Sequence, residues 1–408
     1  MIKEIHARQL KVGMYVHKLG VSWLKHPFLT SSFLVSTDSE VEAVMAAAIE
    51  AVWIDTEKGV DVDDSTPPVP VVERSEVENA VVAPEPVTAS AVVATAKTPM
   101  RVEMAKARRL CLQAKSQVMS MFNDARMGKV VSTAGAMSLV EEISASVLRN
   151  PGALISVARI KTHDEYTYLH SVAVCGLMVA TARRLGLDEV QVHEAGMAGL
   201  MHDLGKARMP LEVLNKPGKL TDDEYAIMKS HPEAGWEILK AAGETNATVL
   251  DVALHHHEKI DGTGYPHRLQ GGGISLMSRL GAVCDVYDAI TSNRPYKAGW
   301  DPAESIRRMA SWTGHFDDAV FKAFVRSIGI YPVGALVRTR TNKLAVVIEQ
   351  NEAAMTEPVI HIFFSVGANA PIAQQRVDLS APSCREKIAG IEDAAKWGFK
   401  NLERFWMV

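Results

Sequence analysis

The chain has 408 residues, 47% hydrophobic and 23% charged, with a formal net charge of −4. That length suits two or three domains with a buried core, and the charge balance leaves no basic face for DNA or RNA. Its four cysteines, Cys111, Cys175, Cys284 and Cys384, form no CxxC pair. This argues against a zinc ribbon or disulfide framework and suits a reducing cytosol.

The N-terminus, MIKEIHARQLKVGMYV, lacks the apolar stretch and cleavage site of a secretion signal. Nowhere does an apolar run reach the roughly 18 residues of a membrane span. Residues 1–61 read as a small α+β unit. GMYVHKL and FLTSSFLVS have strand character, SEVEAVMAAAIEA predicts a helix capped by Ser39, and VWIDT a short strand. Residues 62–98 are rich in Pro, Ala, Val, Ser and Glu and lack aromatics, so they read as a linker.

Residues 99–331 are helical by periodicity. RVEMAKARRLCLQAKSQVMSMFNDA opens this region, and YTYLHSVAVCGLMVATARRLG ends at Gly186, a stop signal. A further helix runs from Asp188 to Gly205. TDDEYAIMKSH starts with a capping box, Thr221 and Glu224, and is expected to end at His231. ATVLDVALHHHE and SLMSRLGAVCDVYDAITS follow, and then DPAESIRRMASWTG with an Asp cap and Pro at its first position. From Pro332 the pattern turns to strands in GALVRTRTNKLAVVIEQ and PVIHIFFSV. REKIAGIEDAAKWGFKNLERFW predicts a terminal helix. The fold class is thus mainly α, with a small α+β unit before the bundle and a β-rich extension of residues 332–408 after it.

Nine of the fourteen histidines lie between His163 and His267. A lone helical histidine is usually a hydrogen-bonded core residue, but a series on successive helices is different. His170, His202, Asp203, His231, His256, His257 and Asp285 all fall on neighbouring segments of one bundle, where metal sites are built from inward side chains. Burying several imidazoles and carboxylates without a cation would leave polar groups unpaired. Imidazole and carboxylate suit divalent first-row metals, and no thiolate is present to favour zinc. Seven donors exceed one tetrahedral ion and suit two.

MHDLGK at 201–206 and HHEKIDGTGYP at 256–266, with His170 after YTYL, His231 before Pro232 and Asp285 in CDVYDAITSNRPYK, closely resemble the HD-GYP branch of the metal-dependent HD phosphohydrolases. The resemblance covers about residues 150–330, and residues 1–61 resemble a domain of unknown function often found upstream of HD-GYP. It implies an HD-type helical bundle and a cytoplasmic enzyme that hydrolyses cyclic di-GMP to pGpG, and in some cases on to GMP. It gives the metal-ligand role to His170, His202, Asp203, His231, His256, His257 and Asp285, with Asp203 bridging two divalent ions, Fe or Mn. Lys206 would face the phosphate, and Gly264, Tyr265, Pro266, Arg294 and Lys297 would meet the substrate. Asp203 and Lys206 would be catalytic. Lys259 stands where the family commonly has Arg. The resemblance also implies bacterial second-messenger signalling, with biofilm and motility as its outputs. It admits regulatory partners such as GGDEF-type cyclases, and a homodimer.

Some HD-GYP proteins hold a third ion on a glutamate one turn before the first histidine ligand. Here that place is Tyr166, a poor ligand, while Glu165 is rotated about 100° away. Two ions are therefore expected. The expected reaction is attack on phosphorus by a metal-activated water, in line with the leaving 3′ oxygen. In this turn His255 reads as structural, and the glycines and proline as a rigid lip. Two rivals stand beside this reading. One is a phosphodiesterase for another cyclic dinucleotide or nucleotide; the other is a non-catalytic cyclic di-GMP receptor.

Overall fold

A computed structural model describes residues 2–19, 33–35, 37–38, 41, 44–45, 51–61, 98–132, 134–160, 166–292, 299–399 and 401–407. The chain divides into two compact units, 1–94 and 95–408.

In the first unit, strands β1 (Ile2–His6), β2 (Tyr15–Leu19), β3 (Phe33–Leu34) and β4 (Ala51–Asp55) form an antiparallel sheet in the order β1-β4-β2-β3. Alternation places Ile5, Val16, Val52 and Ile54 in one buried cluster with Met14. The helix expected at SEVEAVMAAAIEA lies mostly outside the described residues, as does the linker at 62–98 apart from Thr98.

The second unit holds the bundle: α1 (Met100–Arg126), α2 (Ala134–Arg149), α3 (Pro151–Arg159), α4 (Tyr166–Arg184), α5 (Glu189–Met201), α6 (Asp222–Met228), α7 (His231–Ala241), α8 (Ala247–His255), α9 (Leu276–Thr291), α10 (Pro302–Met309) and α11 (Asp318–Ile328). α4 is the central helix. It packs on α1, α2, α3, α5, α9 and α11, and Val172, Val174, Cys175, Leu177, Met178 and Val179 are all buried. A helix apolar on every side belongs inside. Thr221 caps α6 through the predicted reciprocal box with Glu224. No helix among the described residues is long and apolar enough to cross a membrane.

Two expectations are corrected. His231 begins a helix rather than ending one. The proline after it is preorganised for a first turn and disfavours a helical residue before it. The terminal helix expected in 385–406 is also absent among the described residues. Strand β9 (Ile388–Ile391) instead pairs with β5 (Leu336–Thr339), Val337 opposite Ile391, and only a 3-10 turn forms at Leu402–Phe405. An open strand edge offers backbone partners that an isolated amphipathic segment lacks. Gly398 and Asn401, both at positive φ, interrupt any helix between.

β6 (Lys343–Glu349), β7 (Val359–Ser365) and β8 (Ala370–Asp378) complete an antiparallel sheet in the order β8-β7-β6-β5-β9. Its inner face, Val337, Ala345, Val347, Ile360 and Ile362, packs on Ala303 of α10. Asp301 ties the two layers. Its carboxylate accepts from Ala303 N and Glu304 N at the helix start and from Leu336 N of β5.

Candidate metal centre

The seven predicted donors converge. α4 carries His170, and His202 closes α5. Asp203 opens the 3-10 turn Leu204–Arg208 that follows, and His231 starts α7. His256 caps α8, His257 follows it, and α9 supplies Asp285. A backbone contact brings two of these elements together. A Cβ built on Gly205 would sit 1.9 Å from the His231 carbonyl oxygen and 2.4 Å from Gly235 N, so only glycine lets the turn approach α7 this closely.

The ligand atoms form overlapping groups, each within 4.8 Å: His170, His202 and Asp285; His231, His256 and His257; and His202, Asp203 and His256. Asp203 lies between the first two. Its Oδ2 is 3.3 Å from His170 Nε2 and 3.5 Å from His202 Nε2. Its Oδ1 is 3.3 Å from His231 Nε2 and 3.8 Å from His256 Nε2. Asp285 Oδ1 lies 3.0 Å from His170 Nε2, and its Oδ2 3.6 Å from His257 Nδ1.

The ring tautomers follow from the outer partners. His202 Nδ1 meets Gly199 O at 2.8 Å, His231 Nδ1 meets Met228 O at 2.7 Å, and His256 Nδ1 meets Val252 O at 2.9 Å. A carbonyl only accepts, so each Nδ1 carries the proton and each Nε2 presents a lone pair to the cluster. The Nε2 atoms of His231 and His256 face each other at 3.3 Å, an arrangement that two lone pairs do not hold unaided. His202 Nε2 and Asp203 Oδ1 are buried with no hydrogen-bond partner. Bare imidazole and carboxylate donors around an unsatisfied centre fit divalent cations with N/O ligation.

The electrostatics agree. Burial opposes ionisation of Asp203, but Lys206 and the neighbouring histidines hold it well below the usual carboxylate range. Asp285 is likewise held low against its burial, first by His170. Burial and the neighbouring rings keep His256 far below its ordinary value, and burial takes His257 down to about 3. Both are thus neutral and ready to ligate. Burial would also lower His170, yet Asp203, Asp285 and Asp288 outweigh it and raise the ring to about 10. In the protein alone, that proton supplies the positive charge the carboxylates require.

At the rim, Lys206 Nζ reaches Asp203 Oδ2 at 2.5 Å, with its side chain 20% exposed where Asp203 is sealed. Tyr265 stacks on His257 with ring centroids 4.7 Å apart, and burial raises its phenol pKa further. Gly264 folds the turn back on itself, since a Cβ there would fall 2.4 Å from Lys259 N. Pro266 follows Tyr265 in the same turn. His255 turns its two nitrogens to Asp251 and His267. Arg294 and Lys297 lie outside the described residues, as does the side chain of Tyr166.

Sequence reasoning missed Asp288, whose Oδ2 holds His170 Nδ1 at 2.6 Å and whose Oδ1 accepts from Ser292 Oγ. Its signal was an acid three residues after Asp285 in an otherwise apolar helix. Glu258 was also given no role, though it is buried beside the ligands.

The family model described as "HD domain" matches residues 151–320. The model for a domain of unknown function, DUF3391, matches residues 2–136 and so takes in α1 as well. The chain is 50% identical over 407 residues to a Pseudomonas aeruginosa protein named cyclic di-GMP phosphodiesterase PA4108, covering 100% of this chain and 96% of that one. It is 43% identical over 157 residues to the cyclic di-GMP phosphodiesterase response regulator RpfG of Xanthomonas campestris pv. campestris, covering 38% of this chain and 40% of that one. A Vibrio cholerae protein named 3'3'-cGAMP-specific phosphodiesterase 1 is 35% identical over 178 residues, covering 43% of this chain and 41% of that one. Half-identity to one relative along the whole length, with the HD and GYP segments meeting at a single cluster, establishes that this chain belongs to the HD-GYP family of HD-domain phosphodiesterases, with a DUF3391 region at its N-terminus.

Proposed function

We propose that the chain hydrolyses cyclic di-GMP to pGpG at a centre of two divalent ions, iron or manganese. The observation that carries this reading is Asp203, buried, with one carboxylate oxygen turned to each histidine group. The names of the full-length Pseudomonas relative and of RpfG favour cyclic di-GMP as the substrate. When bound, two such ions lower the pKa of a water and offset charge on the phosphoryl oxygens.

The chain's own residues do the rest. His170, His202 and Asp285 would hold one ion and His231, His256 and His257 the other, with Asp203 between the two groups. Lys206 places an ammonium at the rim, where it balances charge developing on the phosphate. Tyr265, between Gly264 and Pro266, forms one wall for the dinucleotide. Arg294 and Lys297, three apart in RPYK, contact its phosphates, the arginine as a fork and the lysine as a point charge. Residues 1–61 form a regulatory unit joined by the linker 62–98 to the catalytic domain 99–331.

Product chromatography on purified, metal-loaded protein with cyclic di-GMP and 3'3'-cGAMP tests the reading. Turnover of cyclic di-GMP to pGpG is expected. Preference for the hybrid dinucleotide, or tight binding without turnover, overturns it. With Tyr166 four residues before His170, elemental analysis should give two ions per chain. Three clustered ions would show the inference from Tyr166 to be wrong.

Lys206→Ala should leave both ions bound, because a charged ammonium is not a ligand. Turnover should fall by roughly 10- to 150-fold, the equivalent of about 1.5–3 kcal/mol for a charge-assisted contact. An unchanged rate removes Lys206 from the mechanism.

A further inference from the structure

The turn after the last histidine ligand is clamped from two directions, and neither clamp touches the metal-ready atoms. The first clamp is Glu258. Its carboxylate is buried and accepts from His267 N at 2.7 Å and from Leu269 N at 3.1 Å. Between those two amides stands Arg268 at φ 57. A non-glycine residue holds that left-handed conformation only where its surroundings impose it, and here one carboxylate grips the backbone on both sides.

The second clamp runs through side chains. Asp251 Oδ1 meets His255 Nδ1 at 2.7 Å, and His255 Nε2 meets His267 Nδ1 at 3.0 Å. Asp251 is itself fixed, its Oδ2 accepting from Ser275 Oγ and Ser278 Oγ. A carboxylate only accepts, so His255 Nδ1 carries the proton. One proton lies between His255 Nε2 and His267 Nδ1 and joins the two rings. The first histidine of the run thus links α8 to the turn. The same turn holds Tyr265, whose N donates to His257 O at 3.2 Å and whose ring covers His257.

We propose that Glu258 and the Asp251–His255–His267 chain are positioning residues, which hold the 265–269 turn in one shape so that Tyr265 meets the dinucleotide. The inference rests on the cyclic di-GMP reading above. It assigns Glu258, His255 and His267 to substrate recognition and leaves the ions to the other residues. Preorganised contacts bind better because less ordering is left for the moment of binding.

The test compares wild type with His267→Ala, His267→Asn and Glu258→Gln. Two substrates are used, cyclic di-GMP and bis(p-nitrophenyl) phosphate, a diester that lacks the nucleobases and the second phosphate of the dinucleotide. His267→Ala should raise KM for cyclic di-GMP about three- to ten-fold, the loss of one ordinary hydrogen bond. Metal content and the rate on the small diester should not change. Asn, whose amide can donate or accept from near the Nδ1 position, should restore KM. Glu258→Gln should weaken the dinucleotide more, since an amide nitrogen cannot accept from the second backbone N–H. Trypsin cleavage after Arg268, read by mass spectrometry, should accelerate in His267→Ala and Glu258→Gln and not in His267→Asn. Equal losses on both substrates overturn the proposal, and so does an unchanged KM. If wild type cleaves the small diester but not cyclic di-GMP, the substrate reading fails separately. The trypsin comparison then decides the clamp, and equal cleavage of wild type and His267→Ala overturns it.

Discussion

Asp203→Asn is expected to remove turnover and most of the bound metal while leaving the fold in place. The substitution keeps the side chain's volume and deletes its charge. Asp203 is buried with Oδ2 facing His170 and His202, and Oδ1 facing His231 and His256. An amide nitrogen on either side presents hydrogens where a cation needs a lone pair, so one of the two positions is lost whichever way the amide turns. Loss of a divalent ion removes several kcal/mol, about 3–5, of charge stabilisation in the transition state. At about 1.36 kcal/mol per tenfold, that corresponds to a rate loss of roughly 10²–10⁴. Lys206 also loses its partner at 2.5 Å, so the ammonium no longer has a fixed place. The checks are elemental analysis, circular dichroism and initial rates on cyclic di-GMP. Two ions per chain with a near-normal rate would remove Asp203 from between the metals.

The donors of this centre could be read from the chain because metal ligation needs rare side chains. Imidazoles at 202, 231, 256 and 257 have no other economical use inside a bundle. What supports them was hidden. Asp288 lies 118 residues from His170 in sequence, and an acid on a helix otherwise looks like a solvated surface group. Glu258 and Asp251 were equally silent, because their partners are backbone amides and hydroxyls that carry no distinctive letter. The fold shows the same division. α4 and strands β5, β6 and β7 follow directly from apolar runs, whereas β8 and β9 do not. KIAGI is weak as a strand by itself and becomes one because β5 has an open edge to pair with. His231 falls at the start of a helix and not at the end of one, because the proline after it is favoured in a first turn.

Gly205→Ala is expected to dismantle the centre without altering any ligand. The methyl would lie 1.9 Å from His231 O and 2.4 Å from Gly235 N, both backbone atoms. A flexible side chain can move aside; the first turn of a helix cannot do so without carrying His231 with it. Overpacking a well-packed interior costs about 1–3 kcal/mol where side chains can adjust, and backbone on both sides puts this site at the upper end or beyond. Relief requires α7 to withdraw from the Leu204–Arg208 turn. That motion opens the 3.3 Å gap between His231 Nε2 and Asp203 Oδ1, on which the spacing of the two metal positions depends. Loss of metal, loss of turnover and a lowered melting temperature should therefore appear together. Gly235→Ala is the matched control, because its nearest contact would be 3.1 Å, to Gly205 N, tight but not impossible. It should retain metal and lose far less stability. If Gly205→Ala keeps both ions and melts with the wild type, the close approach of turn and helix is not what sets the geometry of the centre.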